Sequence, residues 1–390
     1  MTYVDSKESM TELLSALAQS DLPISVDAER ASGFKYSQRA YLLQIRTSDD
    51  SIWLVDTFAI SPDNEAEDFR ELAAAIGSRI WIFHAASQDL PCVRALGLEP
   101  TQIVDTELGA RILGLPKVGL GAITEQFVGF RLAKEHSAVD WSKRPLDPSW
   151  LNYAALDVDV LPDLWAAIEN ELTHSDKLEI ALQEFEHVLK AKPKPAKEER
   201  WRSLSGLHAI KDRQKLAIAK ALWQAREELA VKLDVSPGRL VPDSSLTWLA
   251  SSDLRSKSEL AGSKEFHGRA TRTYLDTWWA SYSHGQKTRD LPELKPKREG
   301  IPNHRIWPSK FPEAADRLDR ARRELAKISE ELNIPVENVL NPEALRVACF
   351  NSENVENEFV FGQSLRSQSV REWQIQAVTQ RLFAAIHAQK

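Results

Sequence analysis

Residues 24–30 read ISVDAER, and the prediction for the first half of the chain starts from this stretch. Apolar side chains at alternate positions, Ile24, Val26 and Ala28, predict a β-strand with one polar face. Asp27 and Glu29 are two residues apart, so both carboxylates point to the same side of that strand. The stretch therefore predicts a strand that carries a pair of acidic side chains.

The segments around this strand predict a mixed sheet flanked by helices. Residues 40–46 (AYLLQIR) and 52–56 (IWLVD) are separated by the polar run TSDDS, which favours a hairpin, so three antiparallel strands are expected. The other predicted elements are strands at 79–84 and 102–106 and helices around 68–76, 88–96 and 148–170. This pattern favours an α/β domain with Asp27 and Glu29 on its first strand.

Two later segments carry acidic residues in positions suited to the same site. FHAASQDL contains Asp89, and YAALDVDVL contains Tyr153 and Asp157, which share a helical face because they are four residues apart. Carboxylates gathered at one point repel one another unless cations neutralise them. Hard oxygen ligands suit magnesium or manganese, so the pattern predicts a divalent metal site that acts on phosphodiesters.

The order D-x-E, H-A-x-x-x-D-L and Y-x-x-x-D, with DWSKRPL between the last two, resembles the exonuclease domain of ribonuclease D. That family belongs to the tyrosine-bearing class of DEDD 3′-5′ exonucleases. The resemblance implies an α/β ribonuclease H-like domain with a mixed sheet and two divalent metal ions, Mg²⁺ or Mn²⁺. The catalytic residues that it implies are Asp27, Glu29, Asp89, Tyr153 and Asp157.

The resemblance also implies a role for each of these side chains. Asp27 would be shared between the two ions, Glu29 and Asp157 would complete the site of the first ion, and Asp89 would serve the second. An unperturbed phenol has a pKa near 10 and is a poor proton acceptor at neutral pH, so Tyr153 is expected to orient the attacking water. Its alternative role is packing on a helix face. His84 is interpreted as a structural residue at a strand end.

The chain of 390 residues is too long for one ordinary domain, and the later part is expected to form two helical units. AREELA at 225–230 matches ARRELA at 321–326, which indicates an internal repeat. The sequence DRQKLAIAKALWQARE resembles the HRDC domain, a helical module of RecQ-type helicases and ribonuclease D. The expected units are an exonuclease domain (1–190), a Pro- and Lys-rich linker (191–200), an HRDC domain (201–285), a basic linker (286–310) and a second HRDC-like bundle (311–390).

Charge is unevenly distributed along the chain. The formal net charge is −7, yet residues 190–220, which include Lys194 and Lys197, and residues 264–310 are rich in Lys and Arg. The second stretch also contains aromatic residues, so at least one helical unit is expected to bind RNA, with a solvated linker or a packing unit as the alternative. Candidate phosphate contacts near the acidic motifs are Arg30, Lys35, Arg39, Lys143 and Arg144.

Several classes of protein are disfavoured. The chain has no G-x-x-x-x-G-K-[ST] loop, so ATP is not an expected partner, and no apolar run of membrane-spanning length. Its two cysteines, Cys92 and Cys349, fall in different expected domains and support neither a disulfide framework nor a zinc site. We therefore expect a cytoplasmic protein, and the resemblance suggests a monomer.

Together these features predict a metal-dependent 3′-5′ exoribonuclease that releases 5′-mononucleotides from RNA 3′ ends. The resemblance implies that its substrates are transfer RNA precursors with 3′ extensions and other small stable RNAs. Two alternatives stay open, a 3′-5′ DNA exonuclease and a nucleic-acid-binding scaffold with an inactive nuclease domain. The sequence does not distinguish Mg²⁺ from Mn²⁺.

Overall fold

The computed structural model describes residues 1–132, 139–193, 195, 198–295 and 300–388. Parts of the expected linkers at 191–200 and 286–310 lie outside the described residues, as do Lys194, Lys197 and the last two residues of the chain. The boundaries of the five expected segments stay a prediction.

A six-stranded mixed sheet forms the centre of the described N-terminal part. Its strands are β1 (Thr2–Val4), β2 (Ile24–Arg30), β3 (Ala40–Arg46), β4 (Ile52–Val55), β5 (Ile80–Phe83) and β6 (Gln102–Asp105), in the spatial order β1-β4-β3-β2-β5-β6. Strands β2, β3 and β4 are antiparallel neighbours, as predicted, and β5 and β6 add in parallel beyond β2. The mixed sheet with flanking helices confirms the predicted α/β fold of this part.

The stretch ISVDAER forms the second strand of the chain, so its prediction as the first strand was wrong. The first strand, β1, has three residues and pairs in parallel with β4. Three residues are too few to show an alternating pattern, so this edge strand depends on tertiary pairing that the local sequence does not reveal.

Helices pack against this sheet. They are α1 (Lys7–Leu17), α2 (Thr57–Ile60), α3 (Arg70–Ile76), α4 (Leu90–Arg94), α5 (Thr106–Ile112), α6 (Leu120–Phe127), α7 (Pro148–Asp159), α8 (Leu161–His174) and α9 (Leu178–Lys190). Helix α7 lies across β2, β3 and β4, where its buried residues Ala154, Ala155 and Val158 face the sheet. That packing places the helix directly over the polar face of β2.

The rest of the described chain is helical. The first unit contains α10 (Arg213–Leu233), α11 (Pro237–Leu240), α12 (Asp243–Ser251), α13 (Lys257–Gly262), α14 (Arg269–Thr273) and α15 (Leu275–Lys287). The second contains α16 (Trp307–Lys310), α17 (Pro312–Leu332), α18 (Val336–Val339), α19 (Pro342–Phe350), α20 (Glu358–Arg366) and α21 (Glu372–His387). The first unit has its own core around Trp278 and Phe266. The second shares a continuous core with the sheet domain.

The two helical units have the same design, as the repeat predicted. Helices α10 and α17 both have 21 residues, and each is followed by a residue in the left-handed conformation, Asp234 or Asn333. Counted from these ends, AREELA and ARRELA lie three residues out of register, so their letter-by-letter match is not a structural equivalence. Leu246 and Leu345 are in register, since both are buried on the nine-residue helices α12 and α19.

A buried ion pair joins the second helical unit to the sheet domain. Both carboxylate oxygens of Glu184, which is 3% exposed, accept hydrogen bonds of 2.6 Å from the Arg371 guanidinium. The indole N–H of Trp373 donates to Glu184 at 2.7 Å. A carboxylate removed from water requires such partners, so this contact fixes how the two parts meet. No described helix combines the length and apolar character needed to cross a membrane.

Candidate active site

Strand β2 presents Asp27 and Glu29 on one face, as its alternation predicted. The neighbouring positions Val26 and Ala28 are buried on the opposite face. The pairing with β3 shifts register between Glu29 and Arg30, which bends the end of the strand. Oxygen atoms of Asp27, Glu29 and Asp157 all lie within 4.8 Å of one another. This spacing is suited to ligands of one metal ion.

Helix α7 brings Tyr153 and Asp157 to these strand carboxylates. The helix begins where the side chain of Asp147 accepts a hydrogen bond of 2.8 Å from the Ser149 amide, and Pro148 occupies its first turn. One turn separates Tyr153 from Asp157, and the tyrosine hydroxyl donates a hydrogen bond to the aspartate. The predicted shared helical face therefore places the phenol beside a candidate metal ligand.

Asp89 reaches the same site from a turn that follows β5. Ala85 in this turn has a φ of 64°, in the left-handed region that a non-glycine residue rarely adopts. The carboxylate of Asp105, at the end of β6, accepts hydrogen bonds from the amides of Ala85 at 3.0 Å and Ala86 at 2.8 Å. The same carboxylate also caps α5. Asp105 thus holds the turn that presents Asp89.

Sequence reasoning missed this role of Asp105. The local signal is that of a helix N-cap, an aspartate before TEL, because two of its hydrogen bonds are to Glu107 and Leu108 at 3.0 and 3.1 Å. Its bonds to the Ala85–Ala86 turn cross about twenty positions of sequence and depend on the parallel pairing of β5 with β6. Nothing in the local sequence indicates that contact.

Burial dominates the electrostatics of the site. It raises the pKa of Asp27 to about 6, of Asp157 to about 7 and of Asp89 to about 8. Burial and the neighbouring carboxylates raise the pKa of Glu29 well above its usual value. Asp89 is therefore mostly protonated and Asp157 about half protonated at pH 7 unless a cation compensates the charge of these hard oxygen donors. The donor set fits a divalent metal ion.

The acidic residues line a cavity of about 750 Å³. His84 also lines it, and burial lowers the pKa of its imidazole to about 4, so the ring is neutral at pH 7. Its Nδ1 lies 2.9 Å from the Thr106 hydroxyl, which agrees with the structural interpretation of this histidine. On the far side, Arg111 pairs with Glu107 at 2.5 Å. A cavity of this size can receive a nucleotide.

The five candidate phosphate contacts occupy different environments. Arg30 lines the cavity 3.8 Å from Asp89, and Lys143 is exposed. Arg144 is committed to structure, because its guanidinium makes two 2.6 Å contacts with the buried Asp56. Lys35 pairs at 3.7 Å with Asp234 of the first helical unit. Arg39, like Arg144, makes hydrogen bonds within the fold, because its guanidinium donates to the Pro62 and Ser61 carbonyls at 2.7 and 2.8 Å. An RNA contact by any of them stays a prediction.

Comparison with known families identifies matching segments along the chain. A family described as 3′-5′ exonuclease matches residues 1–173, and the HRDC domain matches residues 215–282. A family described as 3′ to 5′ exonuclease C-terminal domain matches residues 300–386. The HRDC match confirms the prediction for the first helical unit. The second unit, predicted as HRDC-like, matches a family described by its place after an exonuclease.

Individual relatives extend these matches. Ribonuclease D of Sphingobium indicum is 30% identical over 234 residues, which is 56% of this chain and 58% of that protein. A crystal structure of a protein from Bifidobacterium adolescentis is 33% identical, with a TM-score of 0.88, over 100% of this chain and 97% of its own. The structure of Escherichia coli RNase D shares the fold, with a TM-score of 0.67 at 22% identity over 91% of this chain and 92% of its own.

The chain thus spans a little over half of the Sphingobium relative, while its fold extends over nearly the whole of the two solved structures. The exonuclease and HRDC matches fall in the same order as in the predicted architecture. The chain is thus similar to ribonucleases D, with a 3′-5′ exonuclease domain followed by an HRDC domain.

Proposed function

We propose that this protein is a metal-dependent 3′-5′ exoribonuclease that removes 5′-mononucleotides from RNA 3′ ends. The observation that supports it is the convergence of Asp27, Glu29, Asp89 and Asp157, from three separate segments, on one cavity that Tyr153 also lines. Carboxylates of raised pKa, three of them partly buried and with oxygens within 4.8 Å of one another, are costly unless cations bind there. Bound divalent ions would neutralise these carboxylates and would assist cleavage of a phosphodiester.

Within this proposal each side chain has a task. Asp27 would be the ligand shared by two divalent ions, Mg²⁺ or Mn²⁺, with Glu29 and Asp157 on the first and Asp89 on the second. When bound, such ions stabilise the attacking and leaving oxygens of an in-line displacement. Tyr153 would orient the attacking water. Burial and the neighbouring carboxylates raise the pKa of its phenol, so the hydroxyl keeps its proton at neutral pH and acts by position.

The substrates proposed are transfer RNA precursors with single-stranded 3′ extensions. Metal ligands contact phosphate and not base edges, so the chemistry would be largely indifferent to sequence, and selectivity would come from RNA shape and the helical units. We propose that the protein works as a monomer in the cytoplasm and without ATP.

The test uses a 5′-labelled transfer RNA with a 3′ extension, incubated with and without Mg²⁺ or Mn²⁺. Stepwise shortening that requires metal is expected. Asp157→Asn should lose at least about 100-fold in rate, since even outer-shell metal contacts are worth 10- to 100-fold. Asp159→Asn is the matched control, because Asp159 lies on the same helix but pairs with Arg46 at 3.3 Å, outside the cavity lining.

Each other outcome identifies one of the alternatives. Shortening of a matched DNA oligonucleotide with no action on RNA would make the protein a DNA exonuclease. Intact RNA and DNA in every lane, together with tight RNA binding in both metals, would support a scaffold with an inactive nuclease domain. Equal activity of the Asp157→Asn variant and the wild type would mean that the activity does not arise in this cavity.

A further inference from the structure

One wall of the cavity is a loop, here called the rim loop, that comprises residues 31–38 between β2 and β3. Ser32, Gly33 and Phe34 of this loop line the cavity beside the acidic residues. The amides of Phe34 and Lys35 both donate to the Ala31 carbonyl at 2.8 Å, which makes the loop a tight turn. Phe34 is partly exposed where it lines this polar cavity, and part of its side chain packs against the hydrophobic cluster that contains Tyr41 and Trp141.

The first helical unit holds the rim loop through the segment after α10. The Ser37 amide donates to the Asp234 carboxylate at 2.8 Å, and the Ser236 amide donates to the Phe34 carbonyl at 2.9 Å. The Arg239 side chain donates from Nε to the Gly33 carbonyl at 2.8 Å. Three backbone groups of the loop, at Gly33, Phe34 and Ser37, are therefore hydrogen-bonded to the HRDC unit.

Arg239 makes a second contact with the same loop. Its guanidinium carbon lies 3.9 Å from the centroid of the Phe34 ring, so the cation covers one ring face. Arg239 itself is exposed. An aromatic ring that is backed by a guanidinium and borders a nucleotide-sized cavity has the chemistry of a stacking platform for a nucleobase, with positive charge next to it for phosphate.

We propose that Phe34 stacks on a nucleobase of one of the last two nucleotides of the RNA 3′ end, and that Arg239 of the HRDC unit positions it. This inference rests on the proposed function, since it places the RNA 3′ end in the cavity. Every base has a π-face, so the platform would hold the strand without selecting its sequence. The HRDC unit is then part of the binding site and not an appended module.

The kinetic test uses a short single-stranded RNA. Phe34→Ala should raise KM about 5- to 100-fold with kcat within about threefold of wild type, because stacking is lost and the carboxylates are untouched. Phe34→Tyr should restore the wild-type KM. Arg239→Gln should raise KM about 2- to 5-fold. The matched control is Phe359→Ala, since Phe359 is 74% exposed on α20, outside the cavity lining.

Abasic substrates separate stacking from a structural role. With an abasic nucleotide at the stacked position, terminal or penultimate, wild type and Phe34→Ala should have nearly equal KM values. The ratio of the Phe34→Ala KM to the wild-type KM is compared between intact and abasic RNA. If this ratio is the same for both substrates at both positions, the proposal is overturned, because Phe34 would then only support the loop. A ratio that collapses at one position would identify the stacked nucleotide.

A binding measurement distinguishes failure of this inference from failure of the proposed function. Dissociation constants of labelled intact and abasic RNA are compared by fluorescence anisotropy in Mg²⁺, on an Asp157→Asn background with and without Phe34→Ala. If the affinity loss depends on both the base and Phe34 while the wild type does not hydrolyse RNA, the stacking platform is supported and the nuclease function is rejected. Hydrolysis by wild type with no such dependence would do the reverse.

Discussion

Replacing Asp89 with asparagine should stabilise the protein in EDTA at pH 8, although the residue is 5% exposed. Burial and the charge of Asp27 raise the pKa of Asp89 from 3.8 to about 8. Between these values the folded protein holds a proton that the unfolded chain releases, so the metal-free protein loses stability as the pH rises from about 4 to 8. Each pKa unit corresponds to about 1.4 kcal/mol.

The net gain is smaller than the full pKa shift. The new amide is itself a buried polar group, which costs about 1–3 kcal/mol where its hydrogen bonds are unmade. The attraction of the carboxylate to Arg30, at 3.8 Å, is also lost. We expect a net stabilisation of about 1–2 kcal/mol, which raises Tm by roughly 2–8 °C for a domain of this size.

Asp105→Asn is the contrasting variant, because it replaces a neighbouring buried aspartate with the opposite expected sign. One carboxylate oxygen of Asp105 accepts from the Ala85, Glu107 and Leu108 amides, and the other accepts from Ala86 at 2.8 Å. Asparagine puts an NH₂ group against one of these donors and leaves a buried N–H unpaired. The expected loss is about 1–3 kcal/mol.

Thermal unfolding of wild type and both variants, in EDTA at pH 5 and pH 8, checks this reasoning. The advantage of Asp89→Asn should be present at pH 8 and should shrink at pH 5, where wild-type Asp89 is protonated. Saturating Mn²⁺ should stabilise wild type more than Asp89→Asn, because the variant keeps the proposed ligands of the first ion but not all of those of the second. A lower Tm for Asp89→Asn than for wild type in EDTA at pH 8 would refute the idea that the unneutralised carboxylates destabilise the fold.

Three further predictions concern the same domain. Mn²⁺ binding should weaken as the pH falls from 8 to 6 and should release more than one proton at pH 7, because Asp89, with a pKa of about 8, and Asp157, with a pKa of about 7, must both be deprotonated to bind; calorimetry in buffers of different ionisation enthalpy measures this. Arg144→Gln should lower the free energy of unfolding by about 3 kcal/mol, the lower end of the range for a broken buried ion pair, since the buried Asp56 carboxylate loses its cation but keeps hydrogen bonds from the Tyr3 hydroxyl and two amides. The exposed Lys143→Gln should change it by less than about 0.5 kcal/mol in urea titrations. Tyr153→Phe should lower kcat without displacing either limb of the pH–rate profile between pH 6 and 9, because the pKa of the phenol is raised beyond that range; a displaced limb would make Tyr153 a titrating catalyst.

Local periodicity was sufficient to predict much of the candidate site. The alternation in ISVDAER aligns Asp27 with Glu29, and the four-residue spacing on α7 aligns Tyr153 with Asp157, since both follow from the geometry of one element. The prediction that these two pairs lie close to Asp89 in space depended on the family resemblance and not on the residues alone. Periodicity describes single elements, so it does not specify how distant elements pack.

Some contacts around the site join segments that are distant in sequence, and sequence reasoning did not indicate them. Arg144 stays a predicted RNA contact, but its guanidinium also pairs with Asp56, which lies 88 positions away in sequence and is 1% exposed. Nothing in the local sequence indicates that Gln44 lies near the site. It lies opposite Asp27 in the β2–β3 register and is 0% exposed. Its side chain shares the face of the sheet that carries the acidic pair, which only the register reveals.

The two helical units contact the sheet domain through the same structural position, the left-handed residue after their long helix. In the first unit Asp234 accepts from the Ser37 amide at 2.8 Å, on the rim of the cavity. In the second, the Asn333 side chain donates to the Leu113 carbonyl at 3.0 Å, beside Gly114, whose missing Cβ would lie 2.4 Å from the Asn333 carbonyl oxygen.

Aspartate and asparagine tolerate the left-handed conformation and carry a polar group, so each can end a helix and bind a second backbone at once. The side chain chosen follows from the group it meets, since a carboxylate accepts from the Ser37 amide and a carboxamide donates to the Leu113 carbonyl. The two similar helical units are thereby attached to the sheet domain at two sites, one of which offers a hydrogen-bond donor and the other an acceptor. Only the attachment through Asp234 touches the loop that borders the acidic cavity, so an influence of the helical units on the reaction is expected from the first unit and not from the second.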